Sequence, residues 1–144
     1  MSRKTEAFVS RHERIGLDTN IAIALIEGSP SYERSVLGFF RLVGLSDCQM
    51  WLSVVSLPEL LIKPTKERAD VTLARYQEWF IDLSFAVIDL VAAEQAVELG
   101  AQNGLKPADA LILASLEQQG VTGFVTADER FRRIKELDVL LLRG

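Results

Sequence analysis

The chain has 144 residues, 49% of them hydrophobic and 25% charged, with a formal net charge of −4. That balance fits one globular domain long enough to bury a core, and its sign argues against a protein that grips nucleic acid by bulk charge. The lone cysteine, Cys48, excludes an intrachain disulfide and fits a reducing cytoplasm; the lone histidine, His12, removes serine–histidine–aspartate catalysis and the usual His/Cys zinc sites. Chemistry in this chain has to come from carboxylates, hydroxyls, amides and basic side chains.

Residues 1–13 are basic and polar, with no apolar core of the kind a secretory signal carries, so they read as a flexible N-terminal tail and residues 14–144 as the domain. "RIGLD" is a first strand, and "NIAIALIEG" a short helix stopped by Gly28. "YERSVLGFFRLVGL" places Val36, Leu37, Phe39, Phe40 and Val43 at helical spacing. "MWLSVV" is a second strand, followed by the helix "SLPELLIK", which Ser56 caps and Pro64 ends. "DVTLARYQEWFIDL" is amphipathic through Leu73, Tyr76, Trp79, Phe80 and Leu83. A third strand "FAVIDL" leads into a helix closed by Gly104, with Asp89 as a candidate cap. "PADALILASLEQQG" is the clearest helix, with Pro107 in its first turn and Gly120 at its end. "GFVTAD", the short helix "ERFRRIKEL" and a last strand "VLLL" complete the chain. Strands separated by helices require crossover connections, so the fold class is α/β: a mostly parallel sheet of about five strands with helices on both faces. No apolar stretch approaches the roughly 18 residues of a membrane span.

In such a sheet, ligands bind beyond the carboxyl ends of the strands. Four acids fall there: Asp18 after strand one, Glu59 in the helix after strand two, Asp109 at the start of "PADALILASL", and Asp128 after strand four. Each has a local explanation. Ser56 and Glu59 have capping-box spacing, Asp109 complements a helix dipole, and Asp18 and Asp128 can cap the helices behind them. Together they say more. Carboxylates crowded at one edge repel each other and raise one another's pKa unless a cation is present. Mg²⁺ or Mn²⁺ prefers such oxygen ligands, and can acidify a bound water and steady a phosphoryl oxygen. Asn20 and Thr126 add short polar groups at the same edge.

"LDTNIAIALIEG", "SVVSLPELL", "PADALILASL" and "FVTADERF", in this order, resemble the PIN domain, and within it the single-domain VapC-type toxin ribonucleases of toxin–antitoxin pairs. The resemblance implies a single domain with a parallel sheet between helices and an acidic pocket at the strand ends. It implies metal-binding roles for Asp18, Glu59, Asp109 and Asp128, with Asn20 and Thr126 as their polar companions. It implies Mg²⁺- or Mn²⁺-dependent cleavage of RNA phosphodiesters, and a small antitoxin protein that fills the pocket, commonly with a basic side chain. The fourth motif departs from the usual pattern, with Ala127 where an Asn commonly precedes the acid, and Glu129 beside Asp128 is a possible substitute for it.

The rival reading is a PIN-like binding or scaffolding module in which the acids are only caps. A haloacid-dehalogenase-like phosphatase would want an acid at Asn20, and a response-regulator receiver a Lys on a late strand, which "GFVTAD" lacks. Trp51, Trp79, Phe39, Phe40, Phe85 and Phe131 read as core, and Cys48 as a packed thiol. The basic runs around Lys63, Lys66 and Arg68 and around Arg130, Arg132, Arg133 and Lys135 read as solvated faces or phosphate contacts. Tyr32, Tyr76 and the Ile/Leu-rich first helices are candidates for a homodimer or partner surface.

Overall fold

The computed structural model describes residues 2–143. Five strands, β1 (Arg14–Leu17), β2 (Gln49–Ser53), β3 (Ser84–Ala86), β4 (Gly123–Thr126) and β5 (Asp138–Leu141), form one parallel sheet in the order β3-β2-β1-β4-β5. From β1 the chain winds outward through β2 to β3, then returns to place β4 on the other side of β1 and β5 beyond it. The winding reverses at β1 and β4. That junction opens a crevice at the strand ends.

Helices α2 (Thr19–Ile26), α3 (Glu33–Gly44), α4 (Ser56–Lys66) and α5 (Asp70–Phe80) follow the first strands, and α6 (Leu90–Asn103) and α7 (Pro107–Gln118) precede β4. Alternate strand residues serve opposite faces. Ile15, Leu17 and Val125 join Ile21, Phe39 and Tyr76 in one core, while Phe124 joins Ile112, Leu113 and Leu116 in a second. Gly16 belongs to the second face: a Cβ there would lie 2.6 Å from Leu116 Cδ1, so only glycine lets α7 settle this close to β1.

Several expectations change. Residues 3–11 are not a loose tail but a helix, α1 (Arg3–Arg11), which Ser2 caps and which buries Thr5, Phe8 and Val9. Its packing leaves no space for a side chain at Gly123, where a Cβ would sit 2.7 Å from Phe8 and 2.9 Å from His12. His12 does not belong to a tail either. Its Nε2 is 2.6 Å from Asp138 Oδ2 and its Nδ1 is 2.7 Å from Thr122 Oγ1, while Arg11 Nε donates to the same Asp138 oxygen at 2.8 Å. These contacts pin α1 to the start of β5.

Pro64 lies inside α4 rather than ending it, because it falls in the last turn, where its missing N–H removes one bond and its carbonyl still accepts from Ala69 N at 2.9 Å. The capping box does not form. Ser56 already lies within the helix, Val55 stands at the cap, and both Ser56 and Glu59 turn to Thr19 instead. Tyr76 is no surface residue: it is buried and donates to Glu27 Oε2 at 2.5 Å, and burial, then the adjoining carboxylate, raise its phenol above the ordinary value. The segment "ERFRRIKEL" forms only a 3-10 turn, Glu129–Arg133.

Other expectations hold. Asp89 caps α6 by accepting from Ala92 N, and Gly104 ends that helix at φ +64. Among the described residues no helix is long and apolar enough to cross a membrane.

Candidate active site

Asp18 ends β1 and caps α2, its Oδ1 accepting from Thr19 N at 2.8 Å. Its backbone N–H stays in the sheet, donating to Val125 O at 2.9 Å, so the ladder joining β1 to β4 sets the position of the acid. The next residues of β4 reach the same carboxylate: Thr126 Oγ1 donates to Asp18 Oδ2 at 2.6 Å and accepts from Asp128 N at 3.0 Å. Asn20 crosses the junction, its Nδ2 donating to Asp18 Oδ2 at 3.3 Å and its Oδ1 accepting from Ala127 N at 3.2 Å. Because that contact uses the backbone N–H of residue 127, an alanine side chain there leaves it intact.

Only 5% of Asp18 is exposed. Burial raises its pKa from 3.8 to about 6, against the bonds from Thr126 and Thr19, and the charges of Asp109 and Asp128 add to the rise. Asp109, in the first turn of α7, is also raised, first by burial and then, against Arg130, by Asp128 and Glu59. Asp18 thus lies within electrostatic reach of Asp109 and Asp128, and Asp109 within reach of Glu59. Glu59 stands on α4 at the exposed rim, its Oε1 accepting from Thr19 Oγ1 at 2.6 Å.

Asp128 has a partner of its own. Its carboxylate accepts from Arg130 N at 2.9 Å, from Arg130 Nε at 2.9 Å and from an Arg130 terminal nitrogen at 2.6 Å, and this bonding holds its pKa below the ordinary value. The same guanidinium lies 3.7 Å from Asp109 Oδ2. Arg130 is therefore a cation laid across two of the four acids. Glu129 points elsewhere, pairing with Arg143 at 3.2 Å, so Asp128 is the acid turned to the site.

The structure brings together all six residues singled out by sequence: Asp18, Asn20, Glu59, Asp109, Thr126 and Asp128. Two further residues carry the arrangement. Thr19 joins α2 to α4 through Ser56 and Glu59, and its signal was its place in the "DTN" run. Arg130 was legible only as one of several basic residues after Asp128. The donors are all oxygens. Cys48 bonds the carbonyls of Val9 and His12, and His12 is held at Asp138, so neither joins them. Among the described residues no three Asp, Glu, His or Cys side chains form a ready metal-ligand cluster.

Residues 15–137 match the PIN domain family. The chain belongs to that family. A search of curated proteins returned no match. Solved structures of the same fold include VapBC2 from Rickettsia felis bound to a DNA fragment from their promoter, at TM-score 0.73 and 21% identity, covering 90% of this chain and 98% of that one. DNA-bound VapBC from Salmonella typhimurium gives TM-score 0.68 and 25% identity, covering 88% and 96%. VapBC-5 from Mycobacterium tuberculosis, a member of the VapBC family of toxin–antitoxin systems, gives 0.60 and 21%, covering 90% and 99%. In this PIN domain, α1 lies outside the matched span, and the crevice where β1 meets β4 lies within it.

Proposed function

We propose that this PIN domain is a divalent-metal-dependent ribonuclease, the toxin of a toxin–antitoxin pair. The observation that carries the reading is the meeting of Asp18, Asp109, Asp128 and Glu59 at the β1–β4 junction, with their charges opposed by the single guanidinium of Arg130. An acid that needs only to cap a helix has no reason to lie where two others raise its pKa, as they do at Asp18 and at Asp109.

The donor set suits a hard ion, since it holds carboxylates, hydroxyls and an amide but neither sulfur nor imidazole. Asp18, Asp109 and Glu59 would hold Mg²⁺ or Mn²⁺, with Asp128 closing the pocket. Bound there, the ion would offset the crowding, acidify water and stabilise charge on a phosphodiester oxygen. The protein's own part is to orient these ligands. Thr126 and Thr19 N fix the two oxygens of Asp18, Asn20 ties Asp18 to the turn that carries Asp128, and Thr19 aims Glu59. Arg130 balances Asp128 and Asp109 until another cation arrives.

The likeness to VapBC complexes supports a small antitoxin protein as partner, and a homodimer belongs to the same reading. The rival is a PIN-fold binding module without catalysis, favoured by the caps that Asp18 and Asp128 do form. Cleavage of a pool of structured RNAs by wild type and Asp109→Asn, each with Mn²⁺ and with chelator, separates the two. The nuclease reading expects cleavage only by wild type in metal. Cleavage indifferent to both chelator and mutation, or none by the wild type on any RNA of the pool, overturns it in favour of the binding module.

A further inference from the structure

We infer that the cleft between α1 and α3 is the track along which the RNA strand runs on from the acidic site. The inference rests on the nuclease reading. The cleft has a volume of about 970 Å³; Arg34, Arg41 and Arg143, the hydroxyls of Thr5 and Ser31 and one acid, Glu33, line it together with the apolar Pro30, Leu37 and Phe39. Arg34 and Arg41 are seven residues apart on α3, two turns of one helix, so they project from the same face. Both are exposed, and among the described residues neither forms a salt bridge. In a chain of net charge −4, this is a local surplus of free guanidinium groups beside hydroxyl donors. Such a lining fits phosphate oxygens, which accept hydrogen bonds and carry charge.

Contacts tie one wall of the cleft to the turn that carries Asp128. Glu129, next to Asp128, pairs with Arg143 at 3.2 Å, and the Arg143 carbonyl accepts from Ser35 Oγ at 2.8 Å, beside Arg34. Two side-chain contacts thus lead from the turn holding Asp128 to the arginines of α3. A strand placing one phosphodiester among the acids has its neighbouring phosphates repelled there and attracted here.

The test is binding of fluorescently labelled structured RNA, in chelator to prevent cleavage, by wild type and by the double variant Arg34→Gln/Arg41→Gln across a salt series. Loss of two phosphate contacts should weaken binding about tenfold and lower the slope of log K against log salt by about 1.4, at about 0.7 per single-strand contact. Both substitutions lie on the surface, so the variant should melt with the wild type, and in Mn²⁺ it should cleave with raised KM and kept kcat. Unchanged affinity and slope in a variant of a wild type that cleaves RNA overturn the track alone. Loss of binding to an acidic polypeptide with RNA affinity kept also overturns it. A wild type that neither binds nor cleaves RNA overturns the track and the nuclease reading together.

Discussion

Asp18 and Asp138 sit at opposite ends of the same sheet and meet opposite treatment. Asp138, at the start of β5, is pushed up by burial, but bonds from His12 and Arg11 outweigh this and leave its pKa below the ordinary value. Asp18, at the end of β1, receives hydroxyl and amide donors but no cation in contact, and its pKa stands near 6. One carboxylate is matched with positive charge and fastens a helix. The other is held in place by neutral donors, with no cation bonded to it. Local bonding is good at both ends, so the supply of positive charge is what marks the site.

The comparison can be broken in several places. The largest effect is expected from Asp109→Asn: RNA cleavage in Mn²⁺ should fall at least about a hundredfold, roughly 3 kcal/mol of barrier, with little change in melting temperature. Asp18→Asn should separate function from stability more sharply. A carboxyl whose pKa is raised holds its proton more tightly in the fold. Its contribution to stability is therefore complete below pH 3.8 and lost as the pH climbs through about 6. In chelator at pH 8 the ionised Asp18 costs roughly 3 kcal/mol, so the variant should be more stable than wild type by up to that amount. At pH 4 the gain should shrink to near zero, as denaturant melts at the two pH values would register. Wild type, but not this variant, should melt higher when Mn²⁺ is added.

At the other end of the sheet the outcome should reverse. Asp138→Asn removes the charge that Arg11 and His12 share, and should lose about 1–2 kcal/mol of stability while leaving cleavage per folded molecule unchanged. Because the pKa of Asp138 is lowered, its stabilising contribution is present above the ordinary carboxylate range. It fades as the pH falls through its folded value. The smallest effect is expected from Arg130→Gln, which removes the guanidinium across Asp128 and Asp109. Mn²⁺ should bind a few-fold more tightly by titration calorimetry, because an exposed ion pair is weak and costs little to displace. Weaker Mn²⁺ binding by this variant would make Arg130 an aid to the metal rather than its competitor.

Much of the site could be read from the chain because each acid follows a strand or opens a helix, and a parallel sheet gathers those points along one edge. The alternation of strands and helices was legible for the same reason. Strand order was not: nothing in "GFVTAD" says that it lies against β1, and that adjacency is what lets Thr126 and Asn20 share Asp18. The helix α1 was missed because only a short stretch of it, Thr5, Phe8 and Val9, is buried, under a coat of basic side chains. Phe8 and His12, four apart, were its one signal, and their partner Gly123 lies more than a hundred residues away. The Ser56–Glu59 spacing misled in the opposite way. The local cap it permits lost to Thr19, a tertiary partner no spacing reveals.

The hydrogen bond from the Asp18 backbone to Val125 has a consequence for control. The rungs that close β1 on β4 are also the supports of Asp18 and Thr126, so the crevice has no hinge of its own and no relaxed form short of breaking the central ladder. An off-state of such a site must be imposed from outside, by something that covers the crevice or fills it, and whatever does so can leave without the domain having to refold.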